Sequence, residues 1–158
     1  MSKSKFRIRS ALAVACAVTL GACSERYIVA ANDEVLVVME DLSTQNGLKT
    51  ATVHYTPAKP VALGDRRNSI MVATKVEATF NCSDGTLGQN AMHIVTADGE
   101  TTEQRYPATT MEQPRPGSMT ASVYRIACDD DARASASVRR SLATLQKAYA
   151  EQRAQDKS

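Results

Sequence analysis

The first 23 residues decide how much chain is left to fold and in which compartment it folds. Lys3, Lys5, Arg7 and Arg9 precede an apolar run over residues 11–20, and the run closes on Leu20, Gly21, Ala22 and Cys23. A cationic start, a short greasy stretch and small residues at its end are the layout of a secretory signal. The run is about half of the roughly 20 apolar residues that a spanning helix needs, so a permanent transmembrane anchor is not expected. The formal charge of +2 also comes from this leader: without its four cations, 15 Lys and Arg stand against 17 Asp and Glu. A chain with that balance has no surplus positive charge for nucleic acid.

Leu20-Gly21-Ala22-Cys23 resembles the lipobox of bacterial lipoproteins, an aliphatic residue and two small ones before a Cys. The resemblance implies a signal peptide over residues 1–22, acylation of Cys23 and a short tether over 23–26. Ser24 follows Cys23 in place of Asp, which implies sorting to the outer membrane. A lipid anchor contributes about 0.8 kcal/mol per buried CH₂, so an amino terminus carrying several acyl chains holds its protein on the bilayer. The membrane is then a partner through lipid alone.

Export settles the sulfur chemistry. Of four cysteines, Cys16 leaves with the leader and Cys23 takes lipid, so Cys82 and Cys128 remain in an oxidising compartment and are expected to pair. Closing that loop contributes roughly 4 kcal/mol in the chain-entropy account. No Cys-x-x-Cys is present, and His54 and His93 are distant from the cysteines in sequence, so neither a metal nor another cofactor is expected.

Residues 27–128 read as a β domain, because apolar residues recur with period two. Strands are predicted over 27–30, 34–39, 48–56, 70–82, 90–96, 101–106 and 119–128. Asn46-Gly47, Ser83-Asp84-Gly85 and Asp98-Gly99 supply the turns between them. Ala51, Val53 and Tyr55 share one face, as do Val76, Ala78, Phe80 and Cys82. Tyr124, Ile126 and Cys128 are placed on one face of the last strand. Pro107, Pro114 and Pro116 break the pattern between the last two strands. After Cys128 the period lengthens. Asp129, Asp130 and Asp131 suit the start of a helix, and Val138, Leu142, Leu145 and Tyr149 form a narrow stripe along it. One helix is expected over 129–152, packed on the sheet, with a frayed tail over 153–158.

The sequence offers no convergent set of catalytic groups. His54 and His93 lie in strands, His93 on the solvent side, and neither has an evident nucleophile to serve. The three aspartates lack the Gly and distal Glu of a calcium loop. Arg66 and Arg67, with Arg115 in the proline loop, are basic candidates for an acidic partner surface.

With strands and cysteines placed, the chain from Tyr27 to Cys128 resembles the bacterial surface-adhesin protein E family. The matching stretches are Val37-Val38-Met39-Glu40-Asp41-Leu42-Ser43 before Asn46-Gly47, Lys75-Val76-Glu77 before Phe80-Asn81-Cys82, Ala97-Asp98-Gly99-Glu100, and Pro116-Gly117-Ser118 before Ala127-Cys128. The resemblance implies an α+β domain, a single antiparallel sheet of about six strands with a C-terminal helix, on an outer-membrane lipoprotein that binds host or envelope proteins. No binding residue is carried over from it.

The expectation is therefore a non-enzymatic, lipid-anchored envelope module with an adhesin-like binding role. An alternative is an inhibitor lipoprotein, because Phe80-Asn81-Cys82-Ser83-Asp84-Gly85 is similar to the aromatic-x-Cys-x-x-Gly segment of lysozyme-inhibitor lipoproteins. A purely structural envelope lipoprotein is the other alternative.

Overall fold

The structure, a computed structural model, describes residues 25–63, 70–99, 101–107 and 110–155. The leader, Cys23 and the Arg66-Arg67 pair lie outside the described residues. Seven strands follow one another as a meander: β1 (Arg26–Ala31), β2 (Val35–Gln45), β3 (Leu48–Pro57), the short β4 (Val61–Ala62), β5 (Ile70–Asn81), β6 (Thr86–Thr96) and β7 (Thr101–Arg105). With β8 (Ser137–Val138) added from the C-terminal part, every pairing is antiparallel, and the spatial order is β7-β6-β5-β3-β2-β1-β8, with β4 on β5. The fold is thus α+β on one antiparallel sheet. It has eight strands rather than about six because β4 and β8 (Ser137–Val138) are two-residue additions.

The β2–β3 hairpin turns at Asn46 and Gly47, both in the left-handed region (φ 52° and 79°). That pair of angles suits the right-handed twist of the flanking strands and is the reason for Asn-Gly here. β2 outlasts its predicted end at Met39 because a bulge intervenes. Asp41 takes φ 57°, the register shifts between Glu40 and Ser43, and pairing then resumes as far as Gln45. β6 likewise begins four residues before its predicted start, with its own irregularity opposite Glu77 and Ala78.

Three predictions for the C-terminal part are corrected. Residues 119–128 form a helix, α1 (Met119–Cys128), and not a strand. Val123, Tyr124 and Ile126 have strand-like preferences, but Val123, Ile126 and Ala127 are buried together, which is helical spacing. Ser118 caps the helix by accepting from the Ala121 N–H at 3.1 Å. The single helix over 129–152 is two: α2 (Asp130–Ala136) and α3 (Leu142–Gln155), with β8 between them. Asp129 does cap α2, accepting from the N–H groups of Asp131 and Ala132. The helix stops where Ser137 turns extended to pair with Tyr27, and a second cap, Ser141, starts α3 by accepting from Thr144 N–H at 3.2 Å. Finally, α3 runs on to Gln155, past the predicted start of the tail at 153.

This arrangement wraps the C-terminal third around one sheet edge. α1 and α2 lie on one face, β8 extends the β1 edge, and α3 returns on the other face. The larger core is on the first face, where Val37, Met39, Val53, Ala78 and Phe80 meet Val123, Ile126 and Ala127. The Cys82–Cys128 disulfide, with Cα atoms 5.4 Å apart, ties the end of β5 to the last residue of α1. Lys49 Nζ and Arg133 Nη1 each donate to the Ala127 carbonyl at 2.8 Å, placing cations at the negative end of α1. The smaller core on the second face is Leu36 and Val38 under Leu145 and Tyr149, with Ile28, Val138 and Leu142 at its margin. The stripe read from the sequence is thus real, although Val138 belongs to a strand. The Tyr149 hydroxyl donates to the Asn32 carbonyl at 2.7 Å, and burial raises its pKa.

Candidate functional site

α3 covers only part of the second sheet face. Its apolar residues rest on β1 and β2, and Gln146 Nε2 reaches Thr56 on β3 at 2.9 Å. Beyond that point the face carries polar side chains, several of them half-buried against one another. Cross-strand register sets Val38, His54, Lys75, His93 and Glu103 in one row over β2, β3, β5, β6 and β7. At about 4.8 Å between strands, the row spans roughly 19 Å. Arg26, Glu40, Thr52 and Glu77 form the row beside it.

These side chains are paired in a way that local sequence does not announce. Glu40 Oε2 accepts from Arg26 Nε and its Oε1 meets His54 Nε2, both at 2.8 Å, with the carboxylate 15% exposed. One carboxylate thus fixes a guanidinium and an imidazole from both neighbouring strands. His93 Nε2 lies 3.2 Å from Glu77 Oε1, so His93 is on the polar face as expected but half-buried and engaged. At the sheet edge Arg105 Nε donates to Glu103 Oε1 at 2.6 Å. Thr52, Glu77 and Asn90 also border a shallow depression of about 350 Å³ beside the Asp41 bulge.

The charges on this surface balance: Arg26, Lys75 and Arg105 against Glu40, Glu77 and Glu103. Such a mosaic complements another protein surface of mixed sign. It offers no field for a polyanion. Among the described residues, no hydroxyl or thiol is hydrogen-bonded to either imidazole, and no group of three His, Cys, Asp or Glu is placed to hold a metal ion. The sequence signal reached one member only: period two over 48–56 puts His54 opposite the face of Ala51, Val53 and Tyr55, whereas Glu40 lies just past the predicted end of its strand. Only register brings the two residues together.

Arg115 is elsewhere. It lines an open cavity of about 540 Å³ with Gly88, Gln89, Tyr106, Glu112 and Thr120, at the outer edge of β6. The chain leaves β6 after Tyr106, whose N–H donates to the Asn90 carbonyl at 3.0 Å, and rejoins it at Glu112, whose N–H and C=O pair with Leu87 at 2.8 and 2.9 Å. The proline-rich segment closes over Gly88 so tightly that a Cβ there would lie 2.8 Å from Met111 Sδ and 2.9 Å from the Thr110 carbonyl oxygen. Gly88→Ala is accordingly expected to destabilise the domain by about 1–3 kcal/mol through overpacking. Equilibrium urea unfolding would measure it, and an unchanged midpoint would show that the segment yields freely.

The Asn81–Gly85 stretch forms a turn held by its own side chains. Asn81 Nδ2 donates to Asp84 Oδ2, and Ser83 Oγ donates to Asn81 Oδ1, both at 2.7 Å. Tyr27, buried beneath α2, has its pKa pushed up to about 12 by that burial and by its hydrogen bond to Glu25. Among the described residues no helix is long and apolar enough to cross a membrane. No family model, curated protein or solved structure matches this chain.

Proposed function

We propose that this chain is a lipid-anchored envelope protein without enzymatic activity, whose α+β domain binds a protein partner through the uncovered polar face of its sheet. The observation that carries the reading is the charge-balanced surface around Glu40, His54, Lys75, Glu77, His93 and Glu103, which α3 leaves open. A wide, mixed-charge face is suited to another folded surface rather than to a small enclosed substrate. The anchor rests on the lipobox-like Leu20-Gly21-Ala22-Cys23 and the leader before it. The adhesin-like role rests on the resemblance to protein E-type surface proteins, and it requires outward display.

The test uses whole cells producing the native chain or the double reversal Lys75→Glu, Glu103→Lys, with protease accessibility used to match the displayed amount. Native cells are expected to be retained on immobilised matrix or serum proteins about tenfold better, because reversed charges meet like charges across the interface. Equal retention of the two cell types overturns the assignment of the face. Inhibition of a muramidase by the purified chain, with no retention of cells, would transfer the function to the inhibitor reading and to the Asn81–Gly85 turn.

A further inference from the structure

The antiparallel register of β8 on β1 sets Val138 opposite Arg26 and Ser137 opposite Tyr27. Residues after Val138 therefore leave the sheet at the corner where residues before Arg26 enter it. Those residues are Arg139 and Arg140, both exposed. Cys23 is three residues from Arg26, a contour of at most about 11 Å. An acyl chain on Cys23 would hold this corner against the bilayer.

The two arginines differ from the other cations at this edge. Arg26 is bound to Glu40, and Arg133 to Asp130. The side chains of Arg139 and Arg140 have neither an ion pair nor a hydrogen bond among the described residues. Of the nearby carboxylates, Glu40 and Asp130 are compensated by the arginines just named, and Glu25 turns its oxygen to the Tyr27 hydroxyl. A guanidinium is a planar donor matched to phosphate oxygens.

We propose that this corner is the membrane-facing side of the protein, with Arg139 and Arg140 seated on the phosphate groups of anionic phospholipids. The inference rests on acylation at Cys23 and adds an orientation to it. The β1–β8 edge lies at the bilayer, and the polar face extends from there toward β7, away from the lipid. The anchor supplies attachment, and the arginines choose which way the tethered domain leans.

The mature lipoprotein is placed in vesicles of phosphatidylcholine, or of phosphatidylcholine with about one-third phosphatidylglycerol, and treated with phenylglyoxal at low salt. Mass spectrometry then gives the modification of Arg139 and Arg140 relative to Arg105, which is 78% exposed on the far edge strand. The ratio is expected to fall by about fivefold in the anionic vesicles and to recover in high salt, where the attraction is screened. An acylated Cys23 peptide with the same ratio in both vesicles overturns the orientation and leaves the anchor standing. An unacylated Cys23 overturns the anchor and this proposal with it.

Discussion

Replacing Cys82 and Cys128 together by serine is expected to lower the thermal midpoint by about 15 °C. The cross-link removes roughly 4 kcal/mol worth of conformations from the unfolded chain, and a domain of this length shifts by a few degrees for each kcal/mol. Cys82 stands just after β5 and Cys128 ends α1, so the bond pins the end of the helix that covers the main core. Beside the buried Ile126 and Ala127, that end is tied by polar contacts: Tyr124 hydroxyl to the carbonyls of Asn81 and Cys82, at 3.4 and 3.3 Å, and the two cations on the Ala127 carbonyl. Scanning calorimetry of the serine variant and of the reduced native chain should give matching midpoints. A drop below about 3 °C, worth under 1 kcal/mol, would mean that α1 docks as firmly without the bond.

Phe80→Ala is expected to cost about 4 kcal/mol, and Phe80→Leu under half of that. Phe80 is the largest of the fully buried side chains. It lies between Lys49 and Leu87 in the sheet and belongs to the core that α1 covers. Truncation removes the transfer energy of a ring and leaves a cavity under the helix. Because Phe80 is two residues from Cys82, the two perturbations share a neighbourhood. Their combination is expected to cost less than the separate losses added together, and a double-mutant cycle in urea would read the difference. Strict additivity would show that the ring and the cross-link hold separate parts of the domain.

Local chemistry makes part of this molecule readable from its residues alone. Period two locates six of the strands, since one face of each meets apolar packing and the other meets solvent or polar neighbours. Asn46 and Gly47 specify their turn through positive φ, and Asp129 specifies a cap through its side-chain oxygen. The pairing of Cys82 with Cys128, expected from the signal-like leader and by elimination, is present in the fold. The surface that matters for function was barely legible. Glu40 fell one residue beyond its predicted strand, and its hold on Arg26 and His54 depends on 14-residue separations in both directions.

The C-terminal third shows the same division. The stretch 119–128 carries side chains that suit a strand, and helix formation there is decided by the core it must cover, because Val123, Ile126 and Ala127 can share one buried face only with helical spacing. The break at Ser137 is set by an open edge on β1 that needs backbone partners. Propensity and periodicity act within a few residues, and the sequence by itself determined six of the strands, the turns, the Asp129 cap and the cysteine pair. Register, edge pairing and the choice of faces were decided by the tertiary structure alone, because each depends on groups far apart along the chain that meet only when it folds.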